Sequence, residues 1–241
     1  WGTGGSANGQ FDVAGGVAVD SAGDVYVADQ SNQRVQKFTA DGTFLMKWGS
    51  FGTGNGQFSY PDGIAVDGDG LVYVADSYNH RIQRFTDTGT YVDQWGSQGS
   101  GNGQFEYPRA VAVDAEGNVY VTDSGSNRVQ KFAADGTYLD QWSTGTESNP
   151  YGVTVDPLGS VLVVGRDSQM VQLFTPDGTL RTEWGGQGTG DGQFRSPQGV
   201  ATDADGAIFV TDFDNDRVQK FGPARQPDGR IKLGRSGTLK G

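Results

Sequence analysis

The stretch that decides the fold is residues 63–85, which read GIAVDGDGLVYVADSYNHRIQRF. Its opening marker, Gly-Ile-Ala-Val-Asp, recurs with small changes in five repeats that start near residues 16, 63, 110, 152 and 199. Successive repeats are 47, 47, 42 and 47 residues apart. A period in the forties is typical of propeller blades and of helical arrays, so the turns and strands within one repeat must distinguish the two.

Each repeat has the pattern of four short β-strands, called A to D here in chain order. In the first repeat they are predicted at residues 17–20, 25–28, 35–38 and 43–48. A type I turn is indicated from Asp20 to Gly23, and Asp41-Gly42 marks a hairpin. Strand B is apolar almost throughout, which is typical of a strand covered on both faces. Radially stacked blades cover every such strand alike, so the sequence predicts an all-β fold, a β-propeller of four-stranded antiparallel blades.

The five visible repeats predict a single propeller domain over residues 1–234, followed by a basic tail over residues 235–241. Residues 228–234 have the pattern of a degenerate last strand D, and Trp1-Gly2 matches Trp48-Gly49 at the end of an earlier one. Two interpretations follow. Either five blades close the ring with residues 1–15 as the connector, or the propeller is six-bladed and one blade is missing.

The repeats resemble NHL repeats, a propeller family named for an Asn-His-Leu triplet. The second repeat carries the family pattern most fully, in Gly63–Asp67, Val72–Asp76, Asn79–Gln83 and the Gly-rich connector Gly101–Phe105. The resemblance covers about residues 1–234, and family members usually close with six blades. It also implies a sensor or adaptor ectodomain, and hence an extracellular or cell-surface location on a bacterium.

An Asp and an Arg five residues apart recur at the end of strand B and the start of strand C. The pairs are Asp29/Arg34, Asp76/Arg81, Asp123/Arg128 and Asp212/Arg217. The fourth repeat lacks both partners and has Gly165 and Met170 instead. Because removal of one partner would leave a buried charge unpaired, the joint loss indicates structural ion pairs. A ring of arginines that binds an anion is the alternative.

The repeats differ mainly in the B–C loops and the D–A connectors, which share one face of a propeller. The residue after the connector proline is expected to line the channel mouth, and it varies: Asp62, Arg109, Tyr151 and Gln198. The B–C loops add Tyr78, His80, Arg166, Phe213 and Asp214. Aromatic residues mixed with both charge signs suit a protein or peptide surface, so these nine are the predicted binding residues. Neutral drift of solvated loops is the alternative.

Patterns for catalysis and metal binding are scarce. The chain has one His and no Cys, so neither the several histidines with which lyases of the resembled family bind metal nor a thiolate site is available. We therefore predict no catalytic residue, no metal site, no cofactor and no enzyme. Residues 212–216 resemble the start of a calcium loop, but Arg217 stands where that loop needs Gly. Calcium is kept as a lesser hypothesis.

Charge narrows the range of partners. Lys and Arg number 18 against 29 Asp and Glu, and the net charge of −11 argues against nucleic acid. No apolar run reaches the roughly 18 residues of a membrane-spanning helix, so no membrane insertion is expected. The leading hypothesis is a non-catalytic binding module for a protein, peptide or glycan. The alternatives are a subunit of a surface assembly or filament and a metal-dependent propeller lyase or lactonase. The oligomeric state stays open.

Overall fold

The structure, a computed structural model, describes residues 1–222 and the backbone of residues 237–239. Each repeat forms one four-stranded sheet whose strands follow chain order, and the sheets are numbered one to five after their repeats. The predicted fold class, an all-β propeller with four-stranded antiparallel blades, is confirmed. No helix in the described residues is long and apolar enough to cross a membrane.

The strands are numbered in chain order. Two short strands, β1 (Thr3–Gly4) and β2 (Gln10–Phe11), pair in parallel. Sheet one contains β3 (Ala14–Val19), β4 (Val25–Asp29), β5 (Arg34–Phe38) and β6 (Phe44–Trp48). Sheet two contains β7 (Pro61–Val66), β8 (Val72–Asp76), β9 (Arg81–Phe85) and β10 (Tyr91–Trp95). Sheet three contains β11 (Pro108–Val113), β12 (Val119–Asp123), β13 (Arg128–Phe132) and β14 (Tyr138–Ser143).

Sheets four and five repeat this order. Sheet four contains β15 (Pro150–Val155), β16 (Val161–Gly165), β17 (Met170–Phe174) and β18 (Leu180–Gly185). Sheet five contains β19 (Pro197–Thr202), β20 (Ile208–Asp212), β21 (Arg217–Phe221) and β22 (Gly237–Leu239). In sheets two, three and five a short 3-10 helix follows the second strand, at Ser77–Asn79, Ser124–Ser126 and Phe213–Asn215.

The burial of the strands follows the predicted pattern. The middle strand β5 is buried along its whole length, although Gln36 and Lys37 are polar. The outer strand β6 alternates, with Phe44, Met46 and Trp48 partly buried and the residues between them exposed. A middle strand thus has both faces covered, whereas an outer strand has one face in water.

The Asp at the end of each A strand organises the following turn. In repeat two, Asp67 Oδ1 accepts hydrogen bonds from the backbone N–H groups of Asp69 at 3.0 Å and Leu71 at 2.9 Å. The buried Tyr73 hydroxyl donates to Asp67 Oδ2 at 2.9 Å. Burial, together with the nearby Asp67 carboxylate, raises the pKa of Tyr73 to about 12. Tyr26 with Asp20 and Tyr120 with Asp114 repeat the arrangement.

The chain forms two compact units. The first comprises Trp1–Val121 with Lys131–Leu139, and the second comprises Thr122–Gln130 with Asp140–Gly241. Within the first, Ile64 on β7 belongs to one hydrophobic cluster with Tyr26 and Val35 of sheet one. Within the second, Val200 on β19 packs against a cluster that contains Val164 of sheet four. In both units, therefore, the first strand of a sheet packs on the preceding sheet.

The described outer strand of sheet five is β22. The predicted strand at residues 228–234 lies outside the described residues. Strand β22 pairs antiparallel with β21, and Leu239 lies opposite Val218. Residues 237–239 come from the segment that the sequence assigned to the basic tail over 235–241. The domain bounds of 1–234 stay a prediction.

Candidate functional site

The loops of the predicted binding face rest on buried polar side chains. In repeat two, Asp76 ends β8 and is fully buried. Its Oδ2 accepts hydrogen bonds from Arg81 Nε at 2.7 Å, Asn79 Nδ2 at 2.9 Å and Gln83 Nε2 at 3.0 Å. Its Oδ1 accepts one from the Ser59 backbone N–H at 2.7 Å. Burial raises the pKa of Asp76, and these donors oppose that rise.

Arg81 joins this network to the Gly-rich connector before repeat two. Its Nη1 donates to the Thr53 carbonyl at 2.8 Å. Its Nη2 donates to the carbonyls of Gly54 at 2.9 Å and Gln57 at 2.8 Å. Arg81 therefore neutralises Asp76 and also supplies donors to three carbonyls that lie outside the sheet ladders.

The other predicted ion pairs have the same geometry. The Arg Nε to Asp Oδ2 distances are 2.7 Å for Arg34–Asp29, 3.0 Å for Arg128–Asp123 and 2.7 Å for Arg217–Asp212. In each pair the Asp side chain is fully buried. The structure thus places all four predicted pairs at the start of the B–C loops. Arg34 and Arg217 also donate to carbonyls of the segments before their sheets, as Arg81 does.

Three exposed tyrosines meet above this network in the first compact unit. Tyr60 precedes β7, Tyr78 lies in the 3-10 helix after β8, and Tyr107 precedes β11. They are 42%, 49% and 37% exposed, respectively. The ring centroid of Tyr78 lies 4.7 Å from that of Tyr60 and 5.5 Å from that of Tyr107, and the His80 ring lies 5.3 Å from Tyr107. These four residues are called the tyrosine patch.

The patch stands on an unusual backbone. Tyr60, Tyr107 and His80 have positive φ angles of 55°, 71° and 54°, which are uncommon for residues other than glycine. Asn149 and Ser196, which precede the connector prolines of repeats four and five, also have positive φ. The left-handed conformation therefore belongs to the repeat, and only the side chain that it presents changes.

Backbone hydrogen bonds hold the two loops of the patch together. The Tyr78 N–H donates to the Ser59 carbonyl at 3.1 Å, and the Ser77 N–H donates to the Tyr60 carbonyl at 3.3 Å. The Tyr60 N–H donates to Gln33 Oε1 at 2.7 Å. These hydrogen bonds fix the two loops relative to each other. A surface that is ordered before binding loses less conformational entropy when a partner binds.

The predicted residues Asp62 and Arg109 form an ion pair close in sequence to the patch. Arg109 Nη1 lies 2.9 Å from Asp62 Oδ2. Burial raises the pKa of Asp62, and Arg109 opposes that rise. Strands β7 and β11 approach closely here, because a Cβ on Gly63 would lie 2.5 Å from the Arg109 carbonyl oxygen. Because Gly63 has no side chain, β7 and β11 can approach closely enough for Asp62 and Arg109 to form their ion pair.

The other predicted residues lie in the second compact unit. The Arg166 guanidinium lies over the Tyr151 ring, 5.6 Å from its centroid. Gln198 is partly buried on β19, and Phe213 is exposed. The Ser196 hydroxyl donates to Asp214 Oδ2. Tyr151 thus pairs with Arg166, while Asp214 is bound to the connector of its own repeat.

Tyr60 and Tyr107 were missed by the sequence-based reasoning. A signal for them exists, since they precede the connector proline where the other repeats have Val13, Asn149 and Ser196. The position after the proline was selected because it varies, and the same criterion applied one residue earlier finds both tyrosines.

The structure also shows the surroundings of the predicted calcium loop at residues 212–216 and of the single histidine, His80. The Asp212 carboxylate accepts hydrogen bonds from Arg195, Asn215, Arg217 and Gln219. In the described part of the chain, no three His, Asp or Glu side chains are grouped closely enough to hold a metal ion. His80 Nδ1 is buried without a hydrogen-bond partner. Calcium binding at residues 212–216 stays an untested prediction.

Four stretches of the chain match a known repeat. A profile of the NHL repeat matches residues 11–38, 58–85, 105–132 and 194–221. Each stretch includes one Asp–Arg pair and the middle strands of its sheet. The chain contains NHL repeats. The resemblance noted from the sequence is confirmed, and the repeat left unmatched is repeat four, which has lost the pair.

Solved structures share the fold at low identity. Virginiamycin B lyase from Staphylococcus aureus aligns with a TM-score of 0.68 and 16% identity over 91% of this chain and 68% of that chain. A streptogramin B lyase aligns with a TM-score of 0.66 and 17% identity over 86% of this chain and 64% of that chain. A chain of the nidogen/laminin complex aligns with a TM-score of 0.70 and 22% identity over 91% and 79%. The NHL-repeat chain matches no curated protein.

These structures correct one expectation. The sequence predicted that the chain is not an enzyme, and that exclusion is wrong because similar structures include lyases. The histidine shortage argues against one kind of metal site and says nothing about other chemistry on this fold. The chain spans about two thirds of the length of those lyases, and identities this low show the fold alone.

Proposed function

We propose that this NHL-repeat chain is a binding module that recognises a protein or peptide through the tyrosine patch. The observation that carries the proposal is the contact of three exposed tyrosines from three separate loops on a hydrogen-bonded base. Scattered exposed aromatic residues need no explanation, whereas a contiguous group is typical of an interaction site.

Tyrosine suits such a site for a physical reason. The side chain is large and has few rotatable bonds, so a partner gains contact area at a small cost in conformational entropy, and the hydroxyl can form a hydrogen bond at the edge. Tyr is also among the residues that dominate binding energy in protein interfaces. The nidogen/laminin complex supports the proposal, because a chain of this fold is there part of an assembly between proteins.

Charge defines the partner further. The chain carries a net charge of −11, and opposite charges accelerate encounter between partners. The Asp62–Arg109 ion pair adds a fixed dipole next in sequence to Tyr60-Pro61 and Tyr107-Pro108. We therefore propose a partner segment that is aromatic or aliphatic at its centre and carries basic residues. An extracellular location on a bacterial surface is part of the proposal and rests on the family resemblance.

The experiment selects binders from a random linear peptide library displayed on phage, with the full chain as bait. The patch variant combines Tyr60→Ser, Tyr78→Ser and Tyr107→Asn. Ser and Asn already occupy the two left-handed positions as Ser196 and Asn149, so the backbone is preserved. We expect peptides that bind the parent and lose at least tenfold in affinity for the patch variant, measured by biolayer interferometry.

A control variant removes a similar exposed apolar area elsewhere. Phe51→Ser and Leu158→Ser change two side chains that are exposed outside the patch, and peptide affinity should stay within twofold of the parent. Selected peptides that bind parent and patch variant equally would place the interaction elsewhere. A glycan array probed in parallel covers the remaining class, and binding there without peptide binding would replace the proposed partner.

A further inference from the structure

One position in the repeat ties a B–C loop to the connector of the next repeat. It lies just before the third strand of a sheet, and it has a positive φ angle in repeats one to four. In repeats one, three and four its amide oxygen accepts a hydrogen bond from the backbone N–H that precedes the next connector proline. The bonds are Tyr60 N–H to Gln33 Oε1 at 2.7 Å, Asn149 N–H to Asn127 Oδ1 at 2.8 Å and Ser196 N–H to Gln169 Oε1 at 2.7 Å.

In repeat two this position is occupied by His80, the only histidine of the chain. The residue before the next connector proline is Tyr107 of the tyrosine patch, and the centroids of the two rings are 5.3 Å apart. His80 Nδ1 is bonded to Cγ, as Oδ1 is in Asn127. It is buried and has no hydrogen-bond partner. Because a buried acceptor without a partner costs stability, the backbone N–H of Tyr107 is the donor that the other repeats predict for it.

We infer that neutral His80 accepts a hydrogen bond at Nδ1 from the Tyr107 N–H, and that protonation of His80 releases Tyr107 and weakens binding by the tyrosine patch. The effect on binding rests on the proposed function. A neutral imidazole has one acceptor nitrogen, whereas the imidazolium has two N–H donors and no acceptor. Histidine ordinarily changes its charge between about pH 5 and pH 8, and the amide side chains of Gln and Asn do not.

The release of Tyr107 affects the patch because its backbone conformation needs support. Tyr107 has a φ angle of 71°, and a residue other than glycine stays in such a conformation only where its surroundings hold it there. Its ring lies 5.5 Å from that of Tyr78, between centroids. When the N–H of Tyr107 loses its acceptor, the backbone can leave this conformation and carry the ring away from Tyr78. The patch then offers a partner two tyrosines in place of three.

Other ionisable groups lie on the elements around His80 and have to be separated from it. They are Tyr78, Asp76, Arg81, Glu106, Asp62 and Arg109. Asp76 pairs with Arg81, and Asp62 pairs with Arg109. Burial raises the pKa of both aspartates, so acid acts on these pairs as well. A substitution of His80 alone leaves all of these groups in place and isolates the contribution of the imidazole.

The test compares the parent with His80→Gln, which copies Gln33 and Gln169 and keeps a neutral acceptor at every pH. Isotope-labelled tyrosine gives amide signals from nine residues only. The hydrogen-exchange rate of the Tyr107 amide is divided by that of the Tyr60 amide in the same sample, because Tyr60 is held by Gln33 and reports the common effect of pH. We expect this ratio to rise at least about tenfold from pH 8 to pH 5 in the parent, since one hydrogen bond is lost. It should stay constant in His80→Gln.

Binding is measured over the same pH range with the peptides selected on the parent chain. We expect the affinity of the parent to fall at least about fivefold from pH 8 to pH 5, because a hydrogen bond that orders the site is lost. The affinity of His80→Gln for the same peptides should not change more than that of a second variant, His80→Asn, which copies Asn127. Either variant serves alone if the other does not fold.

The two measurements fail in different ways. An exchange ratio that is the same at both pH values in the parent, or that changes equally in the parent and in His80→Gln, would overturn the inference. A changed ratio with a constant peptide affinity would show that His80 holds Tyr107 without regulating the patch, and the inference would be wrong in that part. A selection that yields no peptide counts against the proposed function, and the exchange ratio still decides whether His80 holds Tyr107.

Discussion

Repeats two and four form sheets with the same strand order and differ in how the loop above them is held. At the B–C end of sheet two, Asp76 lies opposite Arg81 and the pair is buried. At the same place in sheet four, Gly165 lies opposite Met170. The sheet itself therefore does not require the pair, and the reason for the pair has to lie in the loops.

The connectors explain the difference. Before repeat two, residues 49–60 include the three carbonyls that Arg81 binds. Before repeat four, residues 144–149 are too few to form that loop, and Ser148 lies so close that a Cβ on Gly165 would be 2.6 Å from its Oγ. The short connector fills the space of the Asp and removes the acceptors of the Arg, so the pair and the long connector are lost together.

The largest effect that this comparison predicts is for Arg81→Met in repeat two. The substitution leaves the fully buried Asp76 carboxylate without its counter-charge and removes the Arg81 donors from the carbonyls of Thr53, Gly54 and Gln57. Breaking a buried pair in this way typically costs about 3–5 kcal/mol, and we expect the free energy of unfolding to fall by at least about 3 kcal/mol in urea titration.

Arg181→Met provides the control, because Arg181 is exposed on β18 and its replacement should change stability by less than about 0.5 kcal/mol. A loss below about 1 kcal/mol for Arg81→Met would mean that the pair is not what holds the connector.

The second prediction introduces the Asp–Arg pair into repeat four, which lacks it. Gly165→Asp with Met170→Arg restores the pair to repeat four, but the new Cβ meets the hydroxyls of Ser148 and Ser168. The connector of residues 144–149 is also half as long as the segment of residues 49–60 that supplies acceptors to Arg81. We expect this double variant to be less stable than the parent by about 2 kcal/mol, from overpacking and incompletely paired charge. Parent-like stability in urea would show that the pair is self-sufficient and that the connector length does not decide its presence.

Much of this arrangement could be predicted from the sequence. The order of four strands in each repeat follows from the period and the turns, although β3 begins at Ala14, three residues before the predicted start. The joint loss of Asp and Arg in repeat four indicated their contact. The hydrogen bonds from Arg81 to the connector carbonyls could not be predicted, because every residue has a backbone carbonyl and the sequence does not show which ones an Arg will bind. The same limit applies to the Asp62–Arg109 contact, which depends on how closely β7 and β11 approach at Gly63.

The tyrosine patch was only partly predictable for a related reason. Tyr78 was selected because B–C loops vary, but its contacts with Tyr60 and Tyr107 join three segments far apart in sequence. Their meeting depends on residues in the left-handed region, which sequence patterns predict well for glycine and poorly for tyrosine.

The smallest predicted effect concerns the hydroxyl that repeat four lacks. Tyr73 donates to Asp67 in repeat two, while Leu162 occupies the corresponding place in repeat four. The pKa of Tyr73 is raised from 10.0 to about 12, so above pH 10 the unfolded chain loses this proton before the folded chain does. The parent is therefore destabilised as the pH rises through this range, by up to about 1 kcal/mol per pH unit from this residue.

Tyr73→Phe, which copies the Phe209 of repeat five, should remove that part of the alkaline loss. We expect the difference in unfolding free energy between parent and variant to shrink by about 1 kcal/mol between pH 10 and pH 11 in urea titrations. If the unfolding free energies of the parent and of Tyr73→Phe fall in parallel as the pH rises, burial beside Asp67 does not keep the Tyr73 hydroxyl protonated. The hydroxyl would then make no pH-dependent contribution to stability that distinguishes repeat two from repeat four.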